Sequence, residues 1–269
     1  MATIEFSEEQ SMLLETAADF CRKNSPLDGV RKQIEQEDSV DAAVWAEMAD
    51  LGWLGITIPE QYGGLGLSLA DAVPVVESMG RHLMGSPYIA TVLAANALVV
   101  SGSETQKSHW LPQIAAGAVA TLGLTEEDGN WRLNEVHTKG VASSGSITFS
   151  GKKCFVMDAP KASVIIVSAM IDGEAKLVLV QGDQLPDNAL TRETVIDETR
   201  RSYSLDLNGV TVPSEQILAG ADFASIEQAA LLLLTAEMAG GLAGVLHVIV
   251  DYLTTRKQFD QYIGSYQSL

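Results

Sequence analysis

The chain has 269 residues, with 17 Lys+Arg against 35 Asp+Glu, a net charge of −18, and 46% hydrophobic and 19% charged residues. That composition excludes a disordered chain and fits a packed globular protein of roughly two domains. The acidic balance, with no cluster of Lys and Arg, excludes nucleic acid and an anionic membrane surface as partners.

Cys21 and Cys154 match no metal or redox spacing. They predict free thiols in a reducing compartment. His82, His109, His137 and His247 form no ligand pattern, so no metal is expected. The start, Met1 to Phe6, lacks an apolar signal core and an Arg-rich transit pattern, and a cytoplasmic location is expected.

Residues 1–118 read as a helical domain. Ser7 and Gln10 form a capping-box pattern ahead of Leu13, Leu14, Ala17 and Phe20 at helical spacing. Asp41 starts a second helix with Val44, Trp45, Met48 and Leu51 on one face and Gly52 as its stop. The stretch from Ile58 to Leu67 is turn-rich. Its Tyr62-Gly63-Gly64-Leu65-Gly66 lacks the Lys-Ser/Thr of a phosphate loop and reads as a glycine turn. Ser68 with Asp71 opens a third helix ending near Gly80. A fourth covers about Tyr88 to Val100, and a fifth runs near Ser103–Ala118, disturbed by Pro112.

The pattern changes over 119–221, where short apolar runs alternate with turn signals. Ile147–Phe149, Val164–Val167 and Leu177–Val180 read as strands, the last two joined through Asp172-Gly173, and Val210–Val212 ends at Pro213. A small antiparallel sandwich or barrel is predicted. Over 222–269 the helical period returns and persists to about Phe259. The stretch 229–250 is apolar enough to be mistaken for a membrane span. Glu237, His247 and Gly240-Gly241 inside it favour a buried helix of a soluble core that needs partner helices. Gly264 to Leu269 reads as the first turn of another helix.

Four stretches carry a family likeness: Ile58 to Gly66 with Val76 to Arg81; Leu122-Gly-Leu-Thr-Glu126; Gly151-Lys-Lys-Cys-Phe-Val156; and Tyr252 to Phe259 with Ile263 to Gln267. With them the chain resembles the acyl-CoA dehydrogenase family of flavoproteins, C-terminally short. The resemblance implies a multi-domain α and β fold: an N-terminal helical domain, a middle antiparallel β-barrel and the start of a C-terminal helical bundle. It implies FAD as cofactor, α,β-dehydrogenation of an acyl-CoA thioester, a place in fatty acid or acyl-CoA catabolism, and a homo- or hetero-oligomer (dimer or tetramer). An electron-transfer flavoprotein is the implied electron acceptor.

By the same resemblance, Leu124 and Thr125 touch the flavin ring, Phe155 shields one of its faces and Val156 follows in the same strand. Arg256, Gln258 and Phe259 close a helix that reaches a neighbouring subunit's FAD pyrophosphate. Each has a plainer reading beside it: a barrel strand at Leu122–Thr125, an aromatic core residue at Phe155, and a basic helix end at Arg256–Phe259. Two departures stand out. The loop after Thr125 reads Glu126-Glu127-Asp128-Gly129-Asn130-Trp131, acidic where a phosphate-rich ligand would come close, and Met157 stands where the family has a threonine donor. Glu237 reads as a polar group paired within the bundle, and no catalytic base is assigned. The departures keep two alternatives open, a non-catalytic subunit of a heteromeric acyl-CoA dehydrogenase and a purely structural helical protein.

Overall fold

The computed structural model describes residues 7–36 and 41–266. The N-terminal part holds α1 (Glu8–Asn24), α2 (Leu27–Ile34), α3 (Ala42–Asp50), α4 (Val73–Arg81), α5 (Tyr88–Ser101) and α6 (Glu104–Ala115). The start signals act as read. Ser7 and Gln10 make a reciprocal capping box, as do Ser68 with Asp71 and Ser103 with Gln106, and the Asp41 carboxylate caps α3. Gly52 turns left-handed after α3 at φ 75°. Pro112 sits inside α6 without ending it, and the helix runs on to Ala115 at the cost of the hydrogen bond that the missing Pro112 N–H would have made. Helix α2, with Val30 buried, has no counterpart in the sequence reading.

The middle part holds β1 (Ala120–Gly123), β2 (Thr125–Glu126), β3 (Lys139–Ser143), β4 (Ser146–Ser150), β5 (Lys152–Met157), β6 (Val164–Ile171), β7 (Glu174–Gln181), β8 (Leu190–Arg192), β9 (Ser202–Asp206) and β10 (Thr211–Pro213). Strands β6 and β7 form a hairpin whose turn puts Asp172 at φ 51° and Gly173 at φ 83°, the mirror-image geometry that matches strand twist. One sheet runs β1-β6-β3-β4-β10, with β7 on the other edge of β6; a second runs β2-β5-β9-β8. The pairing is mostly antiparallel, but β1 and the end of β3 lie parallel to β6. The chain between β1 and β6 is long enough for such a crossover. Ile147, Phe149, Val156, Ile165, Val167 and Leu205 fill the interior between the sheets.

Helix α7 (Phe223–Thr255) follows. It packs on α4 backbone to backbone: a Cβ on Gly240 would overlap the Glu77 carbonyl oxygen, and one on Gly80 the Glu237 carbonyl. The expectation that α7 is buried on several sides is corrected. Its buried positions, Ile226, Ala229, Leu233, Ala236 and Gly240, recur at helical spacing and form one stripe. Only 22% of its most apolar window is buried, and Leu242, Val245, Leu246, Val248 and Ile249 are exposed. By length and composition alone the helix could cross a membrane.

The helix also ends earlier than the sequence suggested. The Thr254 and Thr255 hydroxyls bond back to the Val250 and Asp251 carbonyls, a competition with the helix ladder typical of such side chains. The chain then turns through Phe259 (φ 51°) and Asp260 (φ 61°), pairing β11 (Lys257–Gln258) with β12 (Gln261–Tyr262). The expected next helix is a short 3₁₀ turn over Ile263–Ser265, and Gln267 to Leu269 lie outside the described residues.

Candidate functional site

A cleft of about 590 Å³ opens where the second sheet meets α5 and the first half of α7. Leu124, Thr125, Phe155 and Met157 form its barrel wall. Ile89, Ala90 and Leu93 come from α5, and Ile226, Ala230, Leu231 and Leu234 from α7. The lining is apolar apart from a charged corner, the composition expected of a small-molecule site.

The barrel wall is shaped by a defect in strand pairing. The register of β5 against β9 shifts between Lys153 and Val156, and Phe155 takes φ 54°. A bulge of this kind re-aims a side chain, and here it brings Phe155 out to the cleft, where it is 38% exposed. The Phe155 N–H donates to Glu193 Oε2 at 3.1 Å, and the same oxygen accepts from the Ser202 hydroxyl at 2.6 Å. The strained residue is therefore clamped. Trp131, from the loop after β2, stacks on Phe155 with ring centroids 5.5 Å apart and planes 23° from parallel.

That loop is rooted on a buried ion pair. Glu126 accepts from Lys153 Nζ, from the His137 and Thr138 amides and from the Thr138 hydroxyl. Both charged side chains are buried. Burial alone would raise the Glu126 carboxyl; the Lys153 ammonium and the amide donors outweigh it and hold the group below its usual range.

At the charged corner Arg200 pairs with Glu237 of α7 and, at 3.7 Å, with Asp197. Arg201, 1% exposed, donates to the Gln33 and Gln36 carbonyls and to Glu198, which fastens this loop to the helical domain. Asp158, Asp197, Glu227 and Glu237 line the cleft against one cation, Arg200. Glu237 is paired, as read from the sequence, but with a loop arginine of the middle region rather than within a bundle.

The structure thus brings Leu124, Thr125 and Phe155 to one cavity. The Val156 side chain points elsewhere, fully buried in the barrel interior, because successive side chains of a strand face opposite sides and Phe155 and Met157 take the cleft side. Arg256, Gln258 and Phe259 do not join the cleft. They stand beyond the far end of α7, on its cap and on the β11–β12 turn, with Phe259 89% exposed. Sequence reasoning missed Trp131, Arg200 and Asp197 as lining residues. The double arginine at 200–201 in so acidic a chain was a signal for charged partners; Trp131 carried no periodic signal.

A family model, "Acyl-CoA dehydrogenase, N-terminal domain", matches residues 7–118. The acyl-CoA dehydrogenase IpdE2 of Mycolicibacterium smegmatis is 30% identical over 264 residues, covering 98% of this chain and 70% of that one. The probable acyl-CoA dehydrogenase YngJ of Bacillus subtilis is 28% identical, over 98% of this chain and 73% of its own. Among solved structures, the ChsE4–ChsE5 complex from Mycobacterium tuberculosis superposes with a TM-score of 0.88 at 26% identity, over 99% of this chain and 72% of that one. With the fold, the cleft and these relatives in agreement, the chain belongs to the acyl-CoA dehydrogenase family of oxidoreductases.

Proposed function

We propose that this chain holds the isoalloxazine ring of an FAD and serves the α,β-dehydrogenation of an acyl-CoA thioester. The observation that carries the reading is the cleft walled by Leu124, Thr125, Phe155 and Met157 on one side and α7 on the other. Its apolar, aromatic walls and its volume suit a flat ring. A bound flavin would supply the acceptor for the substrate's β-hydride. The chain's own part is to aim Phe155 through the bulge and the Glu193 clamp, to offer the Thr125 hydroxyl, and to keep water from the ring with the α5 and α7 side chains.

The diphosphate of FAD is not matched by the cleft lining. Four carboxylates stand there against the Arg200 guanidinium, itself paired. Arg256 and Lys257 lie roughly 28 Å beyond Glu237 along the axis of α7, at about 1.5 Å per residue. They serve a neighbouring chain's cofactor in this reading, so the working unit is an oligomer. An electron-transfer flavoprotein is the proposed acceptor of the electrons, and acyl-CoA breakdown the setting.

A second reading, a non-catalytic subunit of a heteromeric dehydrogenase, is favoured by Met157, which has no hydrogen to donate to a ring atom. Anaerobic addition of a panel of acyl-CoAs to the native protein separates the two. Bleaching of bound flavin by the chain alone supports the first. Bound flavin that bleaches only after a partner chain is added supports the second. A native protein that takes up no flavin contradicts both.

A further inference from the structure

Trp131 lies outside the four stretches that carry the family likeness, and the cleft gives it a part to play. Its indole is 68% exposed, against 9%, 2% and 7% for Trp45, Trp53 and Trp110. An exposed tryptophan is not held in one place by burial, yet this one is fixed from three directions. Phe155 stacks on its ring. On one side, Asn130 donates to Glu135 Oε2 at 2.6 Å; on the other, Arg132 donates to Glu135 Oε1 at 2.8 Å, and the Arg132 amide bonds back to Asn130 Oδ1. The root of the loop is the buried Glu126 cluster. Ordering a surface loop has an entropy cost, and here it is met for a segment whose Trp131 and Leu133 side chains line a cavity.

We propose that Trp131 is a ligand-contacting residue that adds to the Phe155 wall, so that a stacked aromatic pair receives a planar fused heteroaromatic ring in the cleft. The proposal rests on the flavin reading above and assigns it a further, ring-selecting residue. Both side chains line the same cavity, and they meet there as an offset stack with near-parallel planes. Offset stacking rewards a flat, extended partner over an aliphatic one of equal bulk. The neutral indole also suits the setting, since neighbouring Glu127 and Asp128 would repel the phosphate end of the ligand but not its ring.

The test is riboflavin, which has the ring without the diphosphate, titrated into the native assembly stripped of flavin. Binding is read by riboflavin fluorescence and by quenching of the exposed indole. The unaltered protein is expected to bind with quenching. Trp131→Phe should keep the affinity within about twofold, while Trp131→Leu and Trp131→Ala should weaken it about three- to tenfold, the range of an aromatic stack. The leucine variant fills the space without a plane and keeps the comparison sound if the alanine variant perturbs the loop. Leucine and alanine variants that bind as tightly as the unaltered protein would overturn the assignment of Trp131 and leave the flavin reading standing. Failure of the unaltered protein to bind riboflavin or FAD would overturn that reading, and this one with it.

Discussion

At the scale of single residues, the Glu126–Lys153 pair shows how the barrel supports the cleft. Its carboxylate satisfies two amides, a hydroxyl and an ammonium at once. Removing one partner of a buried pair leaves the other charged and alone, which costs about 3–5 kcal/mol. Glu126→Gln should therefore lower the thermal midpoint markedly, and a loss below about 1 kcal/mol in denaturant melts would contradict the role given to the pair. The sign with pH follows from the lowered Glu126 value. Its contribution is complete above the ordinary carboxyl value of 4.5 and is lost as pH falls through the lower folded value. The unaltered protein should lose stability over that acid window more steeply than the glutamine variant. Phe155 makes the complementary case. At φ 54° its backbone carries strain that glycine does not. Phe155→Gly should leave the melting midpoint nearly unchanged, within about 1 kcal/mol, while flavin retention falls; equal retention would remove Phe155 from the site. Neither residue's placement was legible in the sequence. Phe155 was singled out by its motif, but the bulge that aims it depends on pairing with β9, nearly fifty residues away, and Glu126 found its partners only once β2, β3 and β5 were folded together.

At the scale of elements, local signals were legible and long-range ones were not. The Ser7–Gln10 capping box, the Ser68–Asp71 start, the Asp41 cap, the Gly52 stop and the β6–β7 turn each depend on a few adjacent residues, and all are where the sequence put them. Helix α2 was missed because eight residues opened by Pro26 give too short a period, and its anchoring comes from Arg201 far down the chain. The end of α7 was misplaced because Thr254 to Gln258 hold no Gly or Pro stop, and the hairpin beyond them is made by two left-handed residues that are not glycine, Phe259 and Asp260. The α4–α7 crossing yields a paired prediction. Glycine to alanine inside a helix ordinarily gains about 1 kcal/mol. Gly241→Ala, whose nearest neighbour is 3.7 Å away, should show that gain. Gly240→Ala, one position earlier, should instead destabilise by more than about 2 kcal/mol, because its methyl meets the Glu77 backbone. Equal effects at the two positions would contradict the close crossing.

For the whole molecule, the governing fact is the split of α7 into two halves with different surroundings. The first half closes the cleft and joins the helical core through Ala229, Leu233 and Ala236. The second half presents Leu242, Val245, Leu246 and Ile249 to solvent. A run of exposed apolar side chains along one helix is the kind of surface that marks an interaction site. It precedes Arg256 and Lys257 along the chain, whereas the cation in the cleft lining, Arg200, is already paired with Glu237. Cofactor binding and assembly should therefore fail together. A Leu242→Glu, Val245→Glu double variant should lower the native mass in light scattering and release flavin, with the barrel's circular dichroism intact; an unchanged mass would contradict the coupling.

The most direct test of the central claim is the FAD content of the native assembly, released by denaturation and counted against chains. One FAD per copy of this chain is expected. Purified, folded assembly that contains no flavin and takes none up from added FAD would contradict it.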